Sequence, residues 1–212
     1  MKPQKQSQKL AIMAMFAAII FILAFTPLGF IRLPFINATT IHIPVIIGSI
    51  ILGPKYGAAL GFMFGLTSLI NNTVNPNPLI SFVFTPLVNV PGTDSGSLLA
   101  LAVAFIPRML VGVFPWFVYN GLGKILKGKL DALNLTIAGI IGSMTNTILV
   151  MHLIFFLFRD SYAEVRDLAL EAVYGVILGI IAVNGIPEAI AAGILTAAIC
   201  IPLRIVSQRR GP

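Results

Sequence analysis

The sequence predicts an all-α integral membrane protein with six transmembrane helices. Hydrophobic residues make up 58% of the chain and charged residues only 10%, and the mean hydropathy is +0.98. A soluble domain carries about 25% charged residues, and a core for 212 residues does not need this much apolar surface. The excess therefore faces lipid, and the length suits a single transmembrane domain over residues 1–212.

Polar or proline- and glycine-containing stretches separate the apolar segments. The first segment follows three lysines and is longer than the apolar core of a signal peptide, so we expect a retained helix. The second is short, and a turn at Pro54 and Lys55 separates it from the third. The predicted spans are residues 10–29, 41–53, 56–70, 98–122, 135–158 and 184–206.

The final apolar stretch, residues 172–206, has an expected break at residues 184–187, next to and including Pro187, and it allows one span with an outer extension or two spans. At about 1.5 Å per residue it is too long for one span across a ~30 Å hydrocarbon core. With six spans, ten Lys and Arg residues and one acid, Asp131, lie on the side of the two termini. The positive-inside rule then predicts that both termini are cytoplasmic, whereas seven spans would move the basic tail outside. We therefore favour six spans, with residues 163–183 as an outer amphipathic helix between helices five and six.

Small residues recur at helical spacing in two places. A glycine occupies every fourth position around the start of the third span: Gly53, Gly57, Gly61 and Gly65. This spacing predicts a close approach between helices in lipid. The first span has a similar row of alanines: Ala11, Ala14, Ala17 and Ala18. Two interpretations of this row stay open, namely internal packing and a docking face for another membrane protein.

Polar and ionisable residues inside spans are costly in lipid and are usually functional. Arg108 is the strongest candidate, because its guanidinium needs an acceptor in a low dielectric. That acceptor is Glu188, a backbone carbonyl or a substrate carboxylate held by two hydrogen bonds. An Arg108–Glu188 pair that only fixes helix packing is an equal alternative. The other candidate binding residues are His42, Asn71, Asn72, Asn75, Asn146 and Asn184.

The stretch 71–96 is rich in Asn, Pro, Thr and Gly. It is either a solvated, proline-stiffened loop or a lid over an outward-facing pocket, and a loop of this length suits the second interpretation. Its neutral donors and acceptors suit a polar ligand with amide or hydroxyl groups.

Several function classes are disfavoured by what the sequence lacks. The two histidines lie on different segments and no HExxH or CxxC motif occurs, so we predict no catalytic residue, metal site or cofactor. No GxxxxGK[ST] loop occurs, so ATP hydrolysis would belong to a partner. The net charge of +7 lies at segment ends, which is typical of cytoplasmic anchors and not of nucleic-acid binding.

Four stretches resemble one family in combination: AMFAA at 14–18, IHIPVIIGSIILGPKYGAALGFMFGLTSLI at 41–70, FIPRMLVG at 105–112 and NGIPEAIAAGIL at 184–195. They resemble the substrate-binding S-components of energy-coupling factor (ECF) vitamin transporters, and the resemblance covers essentially the whole chain. The INNTVNPNP loop and the NGIPEAI stretch look most like the pantothenate-specific members.

The resemblance implies a vitamin-binding subunit of the bacterial plasma membrane. It implies docking through Ala14 and Ala18 onto the membrane coupling subunit EcfT, which joins two cytoplasmic ATPase subunits. Pantothenate offers a carboxylate for Arg108, and an amide and two hydroxyls for the asparagines and Glu188. Folate also has carboxylates and is the runner-up, although its rings favour stacking residues. The alternative from another class is a membrane-embedded enzyme or accessory protein without small-molecule cargo.

Overall fold

The computed structural model describes residues 6–32, 37–126 and 130–209, which form a helical bundle with one short antiparallel ribbon. The helices are α1 Gln6–Ala24, α2 His42–Leu52, α3 Pro54–Val74, α4 Leu99–Val111, α5 Phe114–Ile125, α6 Asp131–Arg166, α7 Val173–Ile180 and α8 Ile186–Arg209. The ribbon pairs β1 Phe30–Arg32 with β2 Asn37–Thr39. Single 3-10 turns lie at Pro27–Gly29, Ser81–Val83 and Leu170–Ala172, and a π-turn lies at Ile181–Gly185.

The described helices are those of a multi-pass membrane protein. Four helical stretches are long and apolar enough to cross a bilayer: Gln6–Ala24, Leu99–Ile125, Asp131–Arg166 and Leu170–Arg204. Helix α2 is shorter and apolar, and every residue from His42 to Ile50 is buried. A helix that is apolar and buried on all sides is surrounded by protein.

Helices α3 and α4 touch through their backbones, as the glycine spacing predicts. A Cβ added at Gly57 would overlap the carbonyl of Gly112, and one added at Gly61 would overlap the carbonyl of Arg108. Gly65 lies against α4 in the same way, which confirms the predicted glycine face. Because no side chain separates the two helices here, the backbone at Arg108 is held against α3.

The predicted fourth span consists of two helices, α4 and α5, which separate at Gly112 and Val113. Pro115 lies in the first turn of α5. A proline is favourable in that position and cannot donate a hydrogen bond to the preceding turn. The sequence prediction of one continuous helix over 98–122 is therefore wrong in detail, although α4 and α5 together form one candidate span.

Helix α6 continues past the predicted end of the fifth span to Arg166, with a non-helical backbone at Phe158. At about 1.5 Å per residue, a helix of 36 residues is far longer than a ~30 Å hydrocarbon core. The predicted segment 163–183 is thus divided between the end of α6 and the separate helix α7. The break expected near Pro187 is instead the π-turn, which joins α7 to α8.

Two hydrophobic clusters fill the described part of the bundle. The α2 cluster packs aliphatic side chains of α2 against α1, α3 and α6, and it includes Phe16, Ile20, Ile46, Leu60 and Leu135. The loop cluster packs the 3-10 turn of the α3–α4 connection against α4, α6 and α7, and it includes Phe82, Val83, Val103, Ile154, Phe158 and Ile177. Residues 75–98 therefore fold back onto the bundle.

The two ends of the bundle differ in charge. At one end, the basic end, Arg204 of α8 forms an ion pair of 2.7 Å with Asp131 at the start of α6. The hydroxyl of Tyr119 donates to the same carboxylate at 2.7 Å. The opposite end, the loop end, carries residues 75–98 and the β1–β2 ribbon.

Candidate functional site

Arg108 is buried in α4, with 6% of its surface exposed. Its Nη1 donates a hydrogen bond of 2.5 Å to the carbonyl of Val103. The guanidinium carbon lies 4.9 Å from the ring centre of Phe84 and 5.6 Å from that of Phe64. A guanidinium has five N–H donors, and the buried Nε has no partner within the described ranges. Arg108 therefore keeps donors for an acceptor that its neighbours do not supply.

Glu188 lies in the first turn of α8 and is also buried. Its Oε1 accepts a hydrogen bond of 2.7 Å from the backbone N–H of Thr39. This bond fastens the ribbon to the start of α8. Arg108 and Glu188 thus have different partners, and the alternative in which they only pair with each other is not what the structure shows.

Three more of the predicted residues lie in α2, α6 and the π-turn. His42 begins α2 and is buried, and neither of its ring nitrogens has a partner among the residues described. The Oδ1 of Asn146 is likewise buried without a described partner. Asn184 belongs to the π-turn, and a Cβ added at Gly185 would lie 3.1 Å from Thr147. The π-turn therefore contacts the part of α6 that carries Asn146.

The asparagines of the α3–α4 connection organise the loop itself. Ser81 Oγ accepts from the backbone N–H of Asn77 at 2.7 Å and donates to Asn72 Oδ1 at 2.8 Å. Asn75 donates to Asn71 at 3.3 Å on the exposed surface. These bonds fix the course of the loop, and a direct substrate contact by Asn71, Asn72 or Asn75 stays a prediction.

The neighbours of Arg108, namely Phe64, Phe84 and Val103, are not among the site residues predicted from the sequence. Two patterns contain the missing information. Gly61 packs on the Arg108 backbone, which brings the next turn of α3, with Phe64, alongside. Val103 lies four residues before Pro107, the spacing of a helical hydrogen bond.

The alanine row of α1 lies on an open surface. The helix buries Phe16, Ile20 and Ala24 on one side. The row itself is exposed on another side at Ala11, Ala14 and Ala18. Ala17 of the row is partly buried and packs against the α2 cluster. The row is therefore only in part a packing face, and the docking interpretation stays a prediction.

The fold defines a multi-pass membrane protein that carries buried polar side chains on several of its described helices. Within the described ranges no group of three or more His, Cys, Asp or Glu residues is placed to hold a metal ion. The sequence matches the protein-family model described as "ECF transporter, substrate-specific component" over residues 8–200. The chain belongs to this family, which confirms the predicted resemblance. It is a transporter component that binds a substrate and associates with the ECF module, and it is not an enzyme.

Two relatives align over almost the whole chain. The pantothenic acid transporter PanT of Lactococcus lactis subsp. cremoris is 42% identical over 201 residues, which cover 94% of each chain. The pantothenate transporter PanT of Leuconostoc mesenteroides subsp. mesenteroides is 30% identical over 214 residues, which cover 97% of each chain.

Proposed function

We propose that this chain is the pantothenate-binding subunit of an ECF-type importer in the bacterial plasma membrane. The relatives named as pantothenate transporters support this substrate. The observation that carries it is the buried Arg108 guanidinium, which lies near two aromatic rings and has no carboxylate partner in the described chain. A substrate carboxylate supplies both the missing charge and the missing acceptors.

The remaining chemistry of pantothenate matches the other predicted residues. Its amide and two hydroxyls need neutral donors and acceptors, which His42, Asn146 and Asn184 supply. Glu188 accepts from a hydroxyl while it holds Thr39. Such a site rejects a ligand that lacks these groups, because its own buried polar atoms are then left unpaired.

Residues 75–98 form the lid of this site. Phe84 of the loop lies near the Arg108 guanidinium. The hydroxyls of Thr73 and Thr85 join the loop to α3 by a 2.7 Å hydrogen bond. Asn71, Asn72 and Asn75 therefore act at the hinge of the lid, where α3 ends.

The chain is a single domain with six spans: α1, α2, α3, α4 with α5, α6, and α8. Helix α7 is the outer helix between the last two. The basic end supports a cytoplasmic location of both termini. At that end the Lys9 ammonium lies 5.9 Å from the ring centre of Tyr56. Lys55 precedes Tyr56 in the first turn of α3.

Cysteine labelling in intact cells tests this orientation, since the native Cys200 is buried. A membrane-impermeant thiol reagent should label Ser95→Cys on the loop end and should not label Lys55→Cys on the basic end. The opposite labelling pattern would reverse the topology.

The proposed partners are the membrane coupling subunit EcfT and the two cytoplasmic ATPase subunits. The exposed alanines of α1 let a partner helix approach closely. Ala14→Trp should abolish vitamin uptake in cells and leave binding by the isolated subunit unchanged. Ile194→Trp is the matched control, because Ile194 is exposed on α8 and outside the alanine row. Normal uptake by Ala14→Trp would show that this face does not dock.

Calorimetry with two ligands tests the Arg108 contact. Pantothenyl alcohol carries a CH2OH group in place of the carboxylate and otherwise equals pantothenate. Hydrogen bonds to charged groups contribute about 1.5–3 kcal/mol to binding. Wild type should therefore bind pantothenate about 10- to 100-fold more tightly than pantothenyl alcohol. Arg108→Ala should bind both ligands alike.

Two further variants complete this experiment. Arg108→Lys should keep part of the preference, because it retains the charge and loses the fork of donors. Arg166→Ala, which removes an exposed arginine at the loop end, should keep the full preference for pantothenate over pantothenyl alcohol. A full preference in Arg108→Ala would remove Arg108 from the site.

A further inference from the structure

The hydrogen bond of Arg108 has an unusual acceptor. In a regular helix, the carbonyl of Val103 would accept from the N–H of residue 107. Pro107 lies inside α4 and has no N–H to donate. The Nη1 of Arg108 donates to this carbonyl instead, at 2.5 Å. The residue next to the proline thus satisfies the acceptor that the proline leaves open.

This bond makes the two edges of the guanidinium unequal. A carboxylate can bind through Nη1 and Nη2 or through Nε and Nη2. One of the two N–H groups of Nη1 is engaged with Val103, while the buried Nε has no partner among the described atoms. The edge formed by Nε and Nη2 is therefore the one on which neither nitrogen has a hydrogen bond in the described part of the chain.

The direction of the side chain agrees with this use. Helical side chains lean towards the amino terminus of their helix, and the amino terminus of α4 lies at the loop end, where Phe84 approaches. The backbone of Arg108 cannot shift away, because Gly61 of α3 packs directly on its carbonyl. The anchor at Val103 thus fixes the far end of a side chain whose near end is already held.

We propose that Pro107 is a positioning residue for substrate recognition: it leaves the Val103 carbonyl free to anchor Nη1, so that the Nε–Nη2 edge of Arg108 faces the ligand carboxylate. This inference rests on the proposed function, since it assigns a cause to the geometry of the same site. It gives the proline a role in selectivity that helix shape alone would not give it.

Pro107→Ala tests the inference in the full-length, detergent-purified subunit. The alanine N–H returns the regular hydrogen bond to Val103 and competes with Arg108 for its carbonyl. The Arg108 side chain must then be ordered when the ligand binds, so the affinity for pantothenate should fall by about three- to tenfold. Pantothenyl alcohol should bind as before, so the preference for the carboxylate falls. The melting temperature should stay equal or rise, because the helix gains a hydrogen bond.

Two comparisons keep this result specific. Pro107→Gly restores the same N–H and should also lower the preference, even if it lowers the melting temperature. Pro202→Ala is the matched control, because Pro202 lies inside α8 and Leu203, which follows it, carries no side-chain donor. This control should leave the preference unchanged.

Three outcomes would overturn the inference. Equal weakening of both ligands by Pro107→Ala would mean that the proline only shapes the helix. An unchanged preference in Pro107→Ala, with the preference lost in Arg108→Ala, would refute the anchor and leave the proposed function intact. A full preference in Arg108→Ala would refute the carboxylate contact itself, and the role of Pro107 with it.

Discussion

The α2 cluster and the loop cluster stabilise two regions of one bundle by different means. In the α2 cluster, aliphatic side chains from several helices pack around α2, and close glycine contacts join α3 to α4 nearby. In the loop cluster, the ring of Phe82 packs edge-on against Phe158 at 6.0 Å, and the loop that carries Phe82 is held by side-chain hydrogen bonds. We therefore expect the loop cluster to open at a lower free energy than the α2 cluster.

Helix α4 connects these two regions. Val103 belongs to the loop cluster and Val111 belongs to the α2 cluster, and Arg108 lies between them in the chain. The backbone of Arg108 is held by the rigid α3–α4 contact, while its guanidinium lies near Phe84 of the loop. The candidate site thus lies where a fixed scaffold meets a segment that can open.

The largest expected effect comes from breaking the scaffold. Gly57→Leu places a side chain where the carbonyl of Gly112 now lies. Because backbone atoms would have to be displaced, we expect that this variant does not fold. Size-exclusion chromatography in detergent measures this. Gly121→Leu is the control, since an added Cβ at Gly121 meets nothing within 4 Å. A folded, binding-competent Gly57→Leu variant would show that the α3–α4 contact is dispensable.

A smaller effect is expected from Phe82→Ala in the loop cluster. Removing a buried phenylalanine costs about 3–5 kcal/mol of local packing. Hydrogen exchange should accelerate in residues 75–98 and in α7, and exchange in α2 should stay as in wild type. Phe156→Ala, at a side chain that is 72% exposed, should change neither region. Equal acceleration in α2 would mean that the two clusters open as one unit.

The smallest effect is expected from Ser81→Ala in the hydrogen-bond network of the loop. The variant loses the bonds of Ser81 Oγ with Asn77 and Asn72, which together contribute about 1–3 kcal/mol. If the loop is the lid, the dissociation of labelled pantothenate should become several-fold faster in a chase experiment. Ser95→Ala is the control, since the bonds at Ser95 use its backbone carbonyl. An unchanged dissociation rate would argue against the lid.

The scaffold could be predicted from the sequence because lipid imposes strict periodic patterns. Runs of apolar residues predict the helices. Gly57, Gly61 and Gly65 are spaced four residues apart, which predicts the close contact between α3 and α4. Arg108 is a predicted site residue because an arginine among apolar residues is costly without a partner, and its contact with the substrate stays a prediction.

The loop end could not be predicted in the same detail, because its structure depends on contacts between residues distant in the chain. The hydrogen bond between Thr39 and Glu188 joins residues 149 positions apart, and no local sequence pattern predicts it. The aromatic neighbours of Arg108 come from α3 and from the loop. The π-turn replaced an expected break, because Asn184, Gly185 and Pro187 are equally compatible with a loop and with a distorted helix.

The proposed function requires that the isolated subunit binds pantothenate at a buried arginine site. The decisive experiment is calorimetry of the detergent-purified wild-type protein against pantothenate, folate, riboflavin, thiamine, pyridoxine and biotin. We expect tight, saturable heat with pantothenate and none with the other five vitamins. Tight binding of a different vitamin, or no heat at all from a protein shown to be folded, would contradict it.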